Sequence, residues 1–81
     1  MSYYVYMLKS LSKNKVTYVG YTNNLPKRIK LHNTGKGAKF TRGRKWKLIY
    51  KEKHNTKNKA ISREYYIKNN RKLRNTIKNK I

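Results

Sequence analysis

The sequence predicts an α+β fold with its elements in the order β-β-α-β-α-α. Two short β-branched and aromatic runs stand near the N-terminus, the apolar period turns helical after Asn24 and again after Thr56, and the segment between those helices alternates residue by residue. At 81 residues the chain is too short for two hydrophobic cores, so residues 1–81 are expected to form one domain. Hydrophobic residues make up 36%, below the roughly 45–50% of ordinary globular chains. Eight tyrosines, one tryptophan and one phenylalanine still supply bulky burial, which favours a folded, marginal domain over a basic tail.

Residues 3–8 and 16–21 read as largely buried strands, and the polar stretch 9–15 between them suits a hairpin but not a parallel crossover. A hairpin symmetric about residue 12 pairs Tyr4 with Gly20, Tyr6 with Tyr18 and Leu8 with Val16, placing Tyr6 and Tyr18 on one face. Asn24 suits an N-cap and Pro26 a first turn, and Asn33-Thr34-Gly35 a stop, so a helix is expected over 25–33. Leu25, Arg28, Ile29 and His32 then share an arc of about 100°, with Arg28 and His32 bordering the buried stripe.

Residues 35–44 hold three of the four glycines together with Lys36, Lys39, Arg42 and Arg44. They read as a loop whose backbone can approach phosphates, although a solvated connector has the same composition. Residues 45–53 form a third strand, with Trp46, Leu48 and Tyr50 on one face and Lys45, Lys47 and Lys51 on the other. From Thr56 to about residue 68 a helix is expected with Ala60, Ile61, Tyr65 and Ile67 as its apolar side. A break at Asn69-Asn70 leads to a second basic helix, where Leu73, Ile77 and Ile81 repeat every four residues.

Charge narrows the function. Twenty-three Lys and Arg against two acidic residues leave a net charge of +21, so a polyanion is the expected partner and nucleic acid the leading one. The absence of cysteine removes disulfides, thiolate zinc sites and Cys nucleophiles, and two histidines do not make a zinc centre. No run is apolar and long enough to span a membrane, and no secretory leader is visible, so the cytoplasm is the expected compartment. Asp is absent, which rules out the multi-carboxylate two-metal nucleases. A phosphodiesterase of this composition works with one metal and a base that is not a carboxylate.

Glu64 stands on the inward arc of its helix, 40° from Ala60. One reading is a buried ion pair with a Lys or Arg; the other is a ligand for Mg²⁺, which is often held by one or two carboxylates plus substrate phosphate. Tyr6 and Tyr18 read either as a core aromatic pair or as phenols beside a scissile phosphate, with surrounding positive charge lowering a pKa near 10. Arg28 and His32, four residues apart, can hold a phosphate between guanidinium and imidazole. His54 reads as solvated, and Glu52 as a surface partner for nearby lysines.

These residues resemble the GIY-YIG nuclease superfamily, in particular its small single-domain bacterial members and the related structure-specific endonuclease subunits. The resemblance rests on Tyr4-Val5-Tyr6 and Tyr18-Val19-Gly20 as the two triplets and continues through Tyr21 to Leu25, Arg28, His32, Asn33, residues 35–41, Arg63 and Glu64. It implies a three-stranded antiparallel sheet flanked by helices and metal-dependent hydrolysis of a DNA phosphodiester. It makes Tyr6 and Tyr18 the active-site tyrosines, Arg28 the phosphate-stabilising arginine, His32 its neighbour, and Glu64 the ligand of one Mg²⁺ or Mn²⁺, weakly bound without DNA. Tyr4 stands where the family has glycine. Tyr21 stands where some relatives carry lysine, so that cation is either missing here or supplied by Lys27 or Lys36. Asn75 is the counterpart of an asparagine that some relatives place beyond the glutamate.

The sequence thus points to a divalent-metal-dependent DNA endonuclease, structure-specific and linked to repair or recombination, with Lys27, Lys36, Lys39, Arg42 and Arg44 as nucleic-acid contacts. The alternative is a non-catalytic basic nucleic-acid-binding protein. A third reading is a catalytic module that relies on a protein partner to choose its substrate, since so small a chain has little surface for reading bases.

Overall fold

The computed structural model describes residues 2–11 and 15–79. Strands β1 (Tyr3–Ser10) and β2 (Thr17–Thr22) precede helix α1 (Leu25–Asn33), and strand β3 (Trp46–His54) precedes helices α2 (Lys57–Lys68) and α3 (Arg71–Asn79). The order is the expected β-β-α-β-α-α. The strands form one antiparallel sheet in the order β2-β1-β3. Helix starts follow the sequence: Asn24 Oδ1 accepts from Lys27 N, Thr56 Oγ1 from Lys59 N, and Asn70 Oδ1 from Leu73 N.

The hairpin register differs from the expected one by two residues. Tyr6 lies opposite Gly20, Leu8 opposite Tyr18 and Tyr4 opposite Thr22, while residue 12, the expected centre, lies outside the described residues. Two hydrogen bonds close the hairpin earlier, from Ser10 N to Val16 O at 2.9 Å and from Val16 N to Ser10 Oγ at 3.1 Å. An even shift preserves the faces, so Tyr6 and Tyr18 still share one. The shift also sets the Tyr6 ring over a position with no side chain: a Cβ on Gly20 would stand 2.6 Å from Tyr6 Oη and 2.8 Å from Cζ.

Strand β3 departs from simple alternation. Leu8 pairs with Leu48 but Met7 with Tyr50, so Ile49 is an extra residue in a β-bulge. Trp46 and Leu48 therefore pack with Tyr6, Leu8 and Leu25 on one side of the sheet, whereas Ile49 and Tyr50 join Val5, Met7 and Val19 on the other. The expectation that Trp46, Leu48 and Tyr50 share a face fails at this bulge. Its effect reaches further, because Glu52 and His54 now face the helix side of the sheet.

That side is covered by Ala60 and Ile67 of α2 and by Leu73 and Ile77 of α3; Ile81 lies outside the described residues. Ile61 and Tyr65 do not join Ala60 and Ile67 as expected, but are 40% and 70% exposed. The inward stripe is instead Ala60, Arg63, Glu64 and Ile67, spaced i, i+3, i+4, i+7, because both charged members find partners. No helix among the described residues is long and apolar enough to cross a membrane.

Gly20→Ala is expected to lose about 1–3 kcal/mol of stability, since the new methyl must displace a buried ring. Urea denaturation followed by circular dichroism reads this directly, and an unchanged midpoint would show that the ring yields freely.

Candidate active site

Tyr6 is 1% exposed and His32 fully buried, and the Tyr6 Oη stands 2.7 Å from His32 Nε2. On the other side of the imidazole, Nδ1 is 2.9 Å from Thr41 Oγ1. Thr41 donates its hydroxyl proton to Ala38 O at 2.9 Å and accepts from Ala38 N at 3.2 Å. With that proton committed, Thr41 accepts from Nδ1–H, which leaves the Nε2 lone pair to take the Tyr6 proton. Asn33 fixes the end of α1 that carries His32, since its side chain accepts from Trp46 N at 2.6 Å and donates to Trp46 O at 3.3 Å. Position 37 also has to be glycine-like, because a Cβ there would meet His32 Cγ at 2.8 Å.

Tyr18 sits beside this pair, its ring 6.4 Å from Tyr6 and 4.9 Å from His32. The Arg28 guanidinium lies against both phenols, and their interaction raises its pKa. Its Nε is buried with no hydrogen-bond partner, a donor available to a ligand oxygen. Glu64 approaches from α2, close enough for its charge to act on Tyr6. Its side chain is 18% exposed and its Oε1 lies 3.3 Å from Lys68 Nζ. The structure thus brings together Tyr6, Tyr18, Arg28, His32 and Glu64 from four separate elements.

Three expectations about these residues change. His32 does not share a phosphate with Arg28, because it is buried behind Tyr6 with both ring nitrogens engaged. The Tyr6 phenol is not lowered by positive charge: burial outweighs the Arg28 guanidinium and pushes it up to about 12. Burial, with the Arg28 charge, also holds His32 down at about 4. Asn75 is exposed on α3, on the side opposite Leu73 and Ile77, which pack on the sheet.

Glu52 and His54 are also not the solvated groups expected. Arg63 Nε donates to both Glu52 oxygens at 2.9 and 3.0 Å, His54 Nε2 lies 3.0 Å away, and Tyr50 Oη donates to Glu52 Oε2. Burial raises the Glu52 pKa, but hydrogen bonds from Arg63, Tyr50 and His54 more than offset it and hold the carboxyl at about 2.

Of the expected nucleic-acid contacts, Lys27, Lys36, Lys39 and Arg42 are exposed, and Arg44 is half-buried with its guanidinium 5.9 Å over the Phe40 ring. Lys27 lies about 200° round α1 from the buried Leu25 and about 100° from Arg28, on the solvent side. Two other lysines stand nearer the site. Lys57 lines a groove of about 400 Å³ with Arg28, Tyr3, Tyr21, Thr22 and Asn23. Lys68 Nζ is 5.8 Å from the Tyr18 ring as well as paired with Glu64. Phe40 stacks on Tyr18 at 6.2 Å and 22°. Only helical spacing could have flagged Lys68, one turn beyond Glu64 on the same face. Phe40 and Thr41 sit on a 3₁₀ turn, Lys39–Thr41, within what reads as plain loop.

Among the described residues, no group of three or more His, Cys, Asp or Glu comes together. A single half-buried carboxylate whose charge reaches the Tyr6 phenol, which the Arg28 guanidinium also contacts, fits a hard divalent ion that keeps most of its water and shares a phosphate with the protein.

This sheet, with its paired tyrosines and with arginine and glutamate entering from two helices, defines a class. The chain matches the GIY-YIG catalytic domain over residues 2–78 and belongs to the GIY-YIG family, whose members are nucleases that generally use a divalent metal. Its relatives include UPF0213 proteins. One from Clostridium perfringens is 59% identical over 66 residues, covering 80% of this chain and 69% of its own. UPF0213 protein YazA of Bacillus subtilis is 46% identical, covering 83% and 67% respectively. The solution NMR structure of a UPF0213 protein from Bacillus halodurans superposes with a TM-score of 0.57 at 38% identity, covering 95% of this chain and 82% of its own.

The buried imidazole gives the fold an acid sensitivity. Below the ordinary value of 6.5 the unfolded chain takes up a proton that His32 refuses until about pH 4, so stability falls as pH drops through that window. Glu52, held at about 2, contributes stability that is present above its ordinary 4.5 and lost between there and about pH 2. Urea midpoints across pH 2–8 are expected to show both declines, and His32→Gln to flatten only the upper one.

Proposed function

We propose that residues 1–81 act as one catalytic domain, a divalent-metal-dependent endonuclease that hydrolyses a DNA phosphodiester. The observation that carries this reading is the convergence of two phenols on one sheet face, an arginine with an unpartnered buried Nε against them, and the carboxylate of Glu64 reaching toward Tyr6 from α2. Glu64 would hold one Mg²⁺ or Mn²⁺, which when bound supplies Lewis-acid stabilisation of phosphate charge. Arg28 binds the scissile phosphate and meets the charge that builds on its oxygens. Tyr6 keeps its proton directed at His32 Nε2 and turns its oxygen lone pairs to the attacking water, orienting it, which suits a phenol held neutral with a pKa of about 12. Tyr18, stacked under Phe40, orients the water and walls the site.

Lys36, Lys39, Arg42 and Arg44 contact the DNA backbone. In the same reading Lys57 takes the place that Lys27 or Lys36 was expected to fill, because it lines the Arg28 groove. The enzyme acts in the cytoplasm, on branched or nicked DNA of repair and recombination. A binder without catalysis would share the charge but would give Glu64 no role beyond its pairing with Lys68.

Nicking of supercoiled DNA in Mg²⁺ or Mn²⁺ tests the proposal. Arg28→Ala is expected to slow cleavage by about 10²–10³-fold. Glu64→Gln should bring it to the background seen in EDTA, with DNA binding retained in both variants; a parent protein that never nicks sinks the enzymatic reading. Lys68 competes for the same carboxylate, so Lys68→Ala should tighten Mn²⁺ binding about two- to fivefold, the strength of an exposed ion pair. Paramagnetic broadening of the Tyr6 and Tyr18 resonances measures this without DNA.

A further inference from the structure

Helix α2 presents an exposed aromatic side away from Glu64. Tyr66 leaves 52% of its surface in water, next to Tyr65 at 70% and Ile61 at 40%. So much exposed apolar area on one 12-residue helix is unexpected in a chain only 36% hydrophobic. Between this helix and the end of β3 runs a groove of about 500 Å³, lined by His54, Asn58, Lys59, Ser62, Arg63 and Tyr66.

The groove is built on fixed groups. Glu52, gripped by Arg63, Tyr50 and His54, anchors the Arg63 guanidinium, whose centre lies 5.2 Å from the Tyr66 ring centroid. Asn70 Nδ2 donates to Tyr66 Oη at 3.3 Å, pinning the far end of the ring. The result is an aromatic surface beside Arg63, with Lys59 for a phosphate and Asn58 and Ser62 for polar edges. These are the contacts a nucleotide offers: a π-face, an anion and hydrogen-bonding edges. A duplex hides its base faces in the stack, so only an unpaired base can lie on the ring.

Position fixes the relation to the cleavage site. Glu64 and Tyr66 are two residues apart, about 200° round the helix, so they face opposite sides of α2. We infer that the groove takes an unpaired nucleotide of the DNA substrate, base on Tyr66 and phosphate on Lys59. The preferred substrate is then a duplex that continues into a single-stranded arm passing over α2. The helix is about 10–12 Å across, so the path half-way round it is roughly 16–19 Å, more than an arm of two nucleotides spans. The substrate class rests on the endonuclease reading, but occupancy of the groove does not.

The test uses the native chain in EDTA, where binding is read without cleavage. Fluorescence anisotropy compares a labelled blunt duplex with the same duplex carrying 5′ or 3′ thymidine arms of two and eight nucleotides. An eight-nucleotide arm is expected to tighten binding about tenfold and a two-nucleotide arm to add nothing. Tyr66→Ala should remove the gain and Tyr66→Phe keep it, with circular dichroism and blunt-duplex affinity as the controls for folding. An arm that adds less than twofold in the parent, or a gain that survives Tyr66→Ala, overturns the proposal. So does a concentration-dependent dimer that Tyr66→Ala dissolves in a protein showing no arm preference, which would assign this face to a second copy. Failure of the nicking assay leaves these outcomes standing, so the two readings fail separately.

Discussion

Tyr6 can occupy its place only because position 20 on the neighbouring strand carries no side chain. The ring lies where a Cβ of residue 20 would be, and from there its hydroxyl reaches His32 across the sheet face. His32 in turn fills space that a side chain at position 37 would take. Two absent side chains thus create room for one buried hydrogen-bonded pair. Buried polar groups are tolerated when they are paired, and here the pairing extends through Thr41 to the backbone of Ala38. The loop after α1 is therefore tied into the core by the same interaction that orients the tyrosine. Asn33, one residue further along, bonds both backbone groups of Trp46 and locks α1 to β3 in the register this requires.

The chain has only two carboxylates, and α2 engages both. Arg63 and Glu64 are adjacent, about 100° apart on the helix. Arg63 turns toward Glu52 on β3, while Glu64 turns toward the tyrosines near β2. The first arrangement depends on the bulge at Ile49, which moves Glu52 from the Tyr6 side of the sheet to the α2 side. Without that extra residue Glu52 would stand on the face of the phenols and Arg63 would be left inward without a partner. One inserted position in β3 thereby separates the two acids, Glu52 paired with Arg63 on the α2 side and Glu64 half-exposed toward the tyrosines.

Periodicity and capping residues made the element order and helix boundaries legible, because those signals are local. Asn24, Thr56 and Asn70 cap the helices where their side chains say they should. The shared face of Tyr6 and Tyr18 was readable too, since an even register error leaves parity intact. The register itself was not, because it depends on the Ser10 hydroxyl closing the hairpin. Nor was the face of Glu52, because a bulge reflects cross-strand fit rather than the alternation of one strand. His32 looked like an edge residue until Thr41, nine positions away, supplied a buried partner. Charge counting misjudged Tyr6 for a related reason: 23 cations argue for a lowered phenol, but most of them are solvated, and desolvation of the ring dominates.

That difference between charge in solution and charge in the interior bears on how so basic a protein could select a substrate. A surface field of this size attracts any polyanion, and phosphate contacts set affinity and position without distinguishing one nucleic acid from another. Discrimination has to come from groups that are rigid and do not merely add positive charge. Two stand exposed next to grooves or site residues. Phe40 is stacked on Tyr18 with Arg44 over its ring, and Tyr66 is held between Arg63 and Asn70. Each is an aromatic surface beside a cation, Phe40 against the tyrosine that adjoins the site and Tyr66 on the side of α2 opposite Glu64. A strand that satisfies both must bend around that helix, which a continuous stiff duplex resists and an unpaired segment does not. On that inference shape, and not the excess of lysine, selects the substrate.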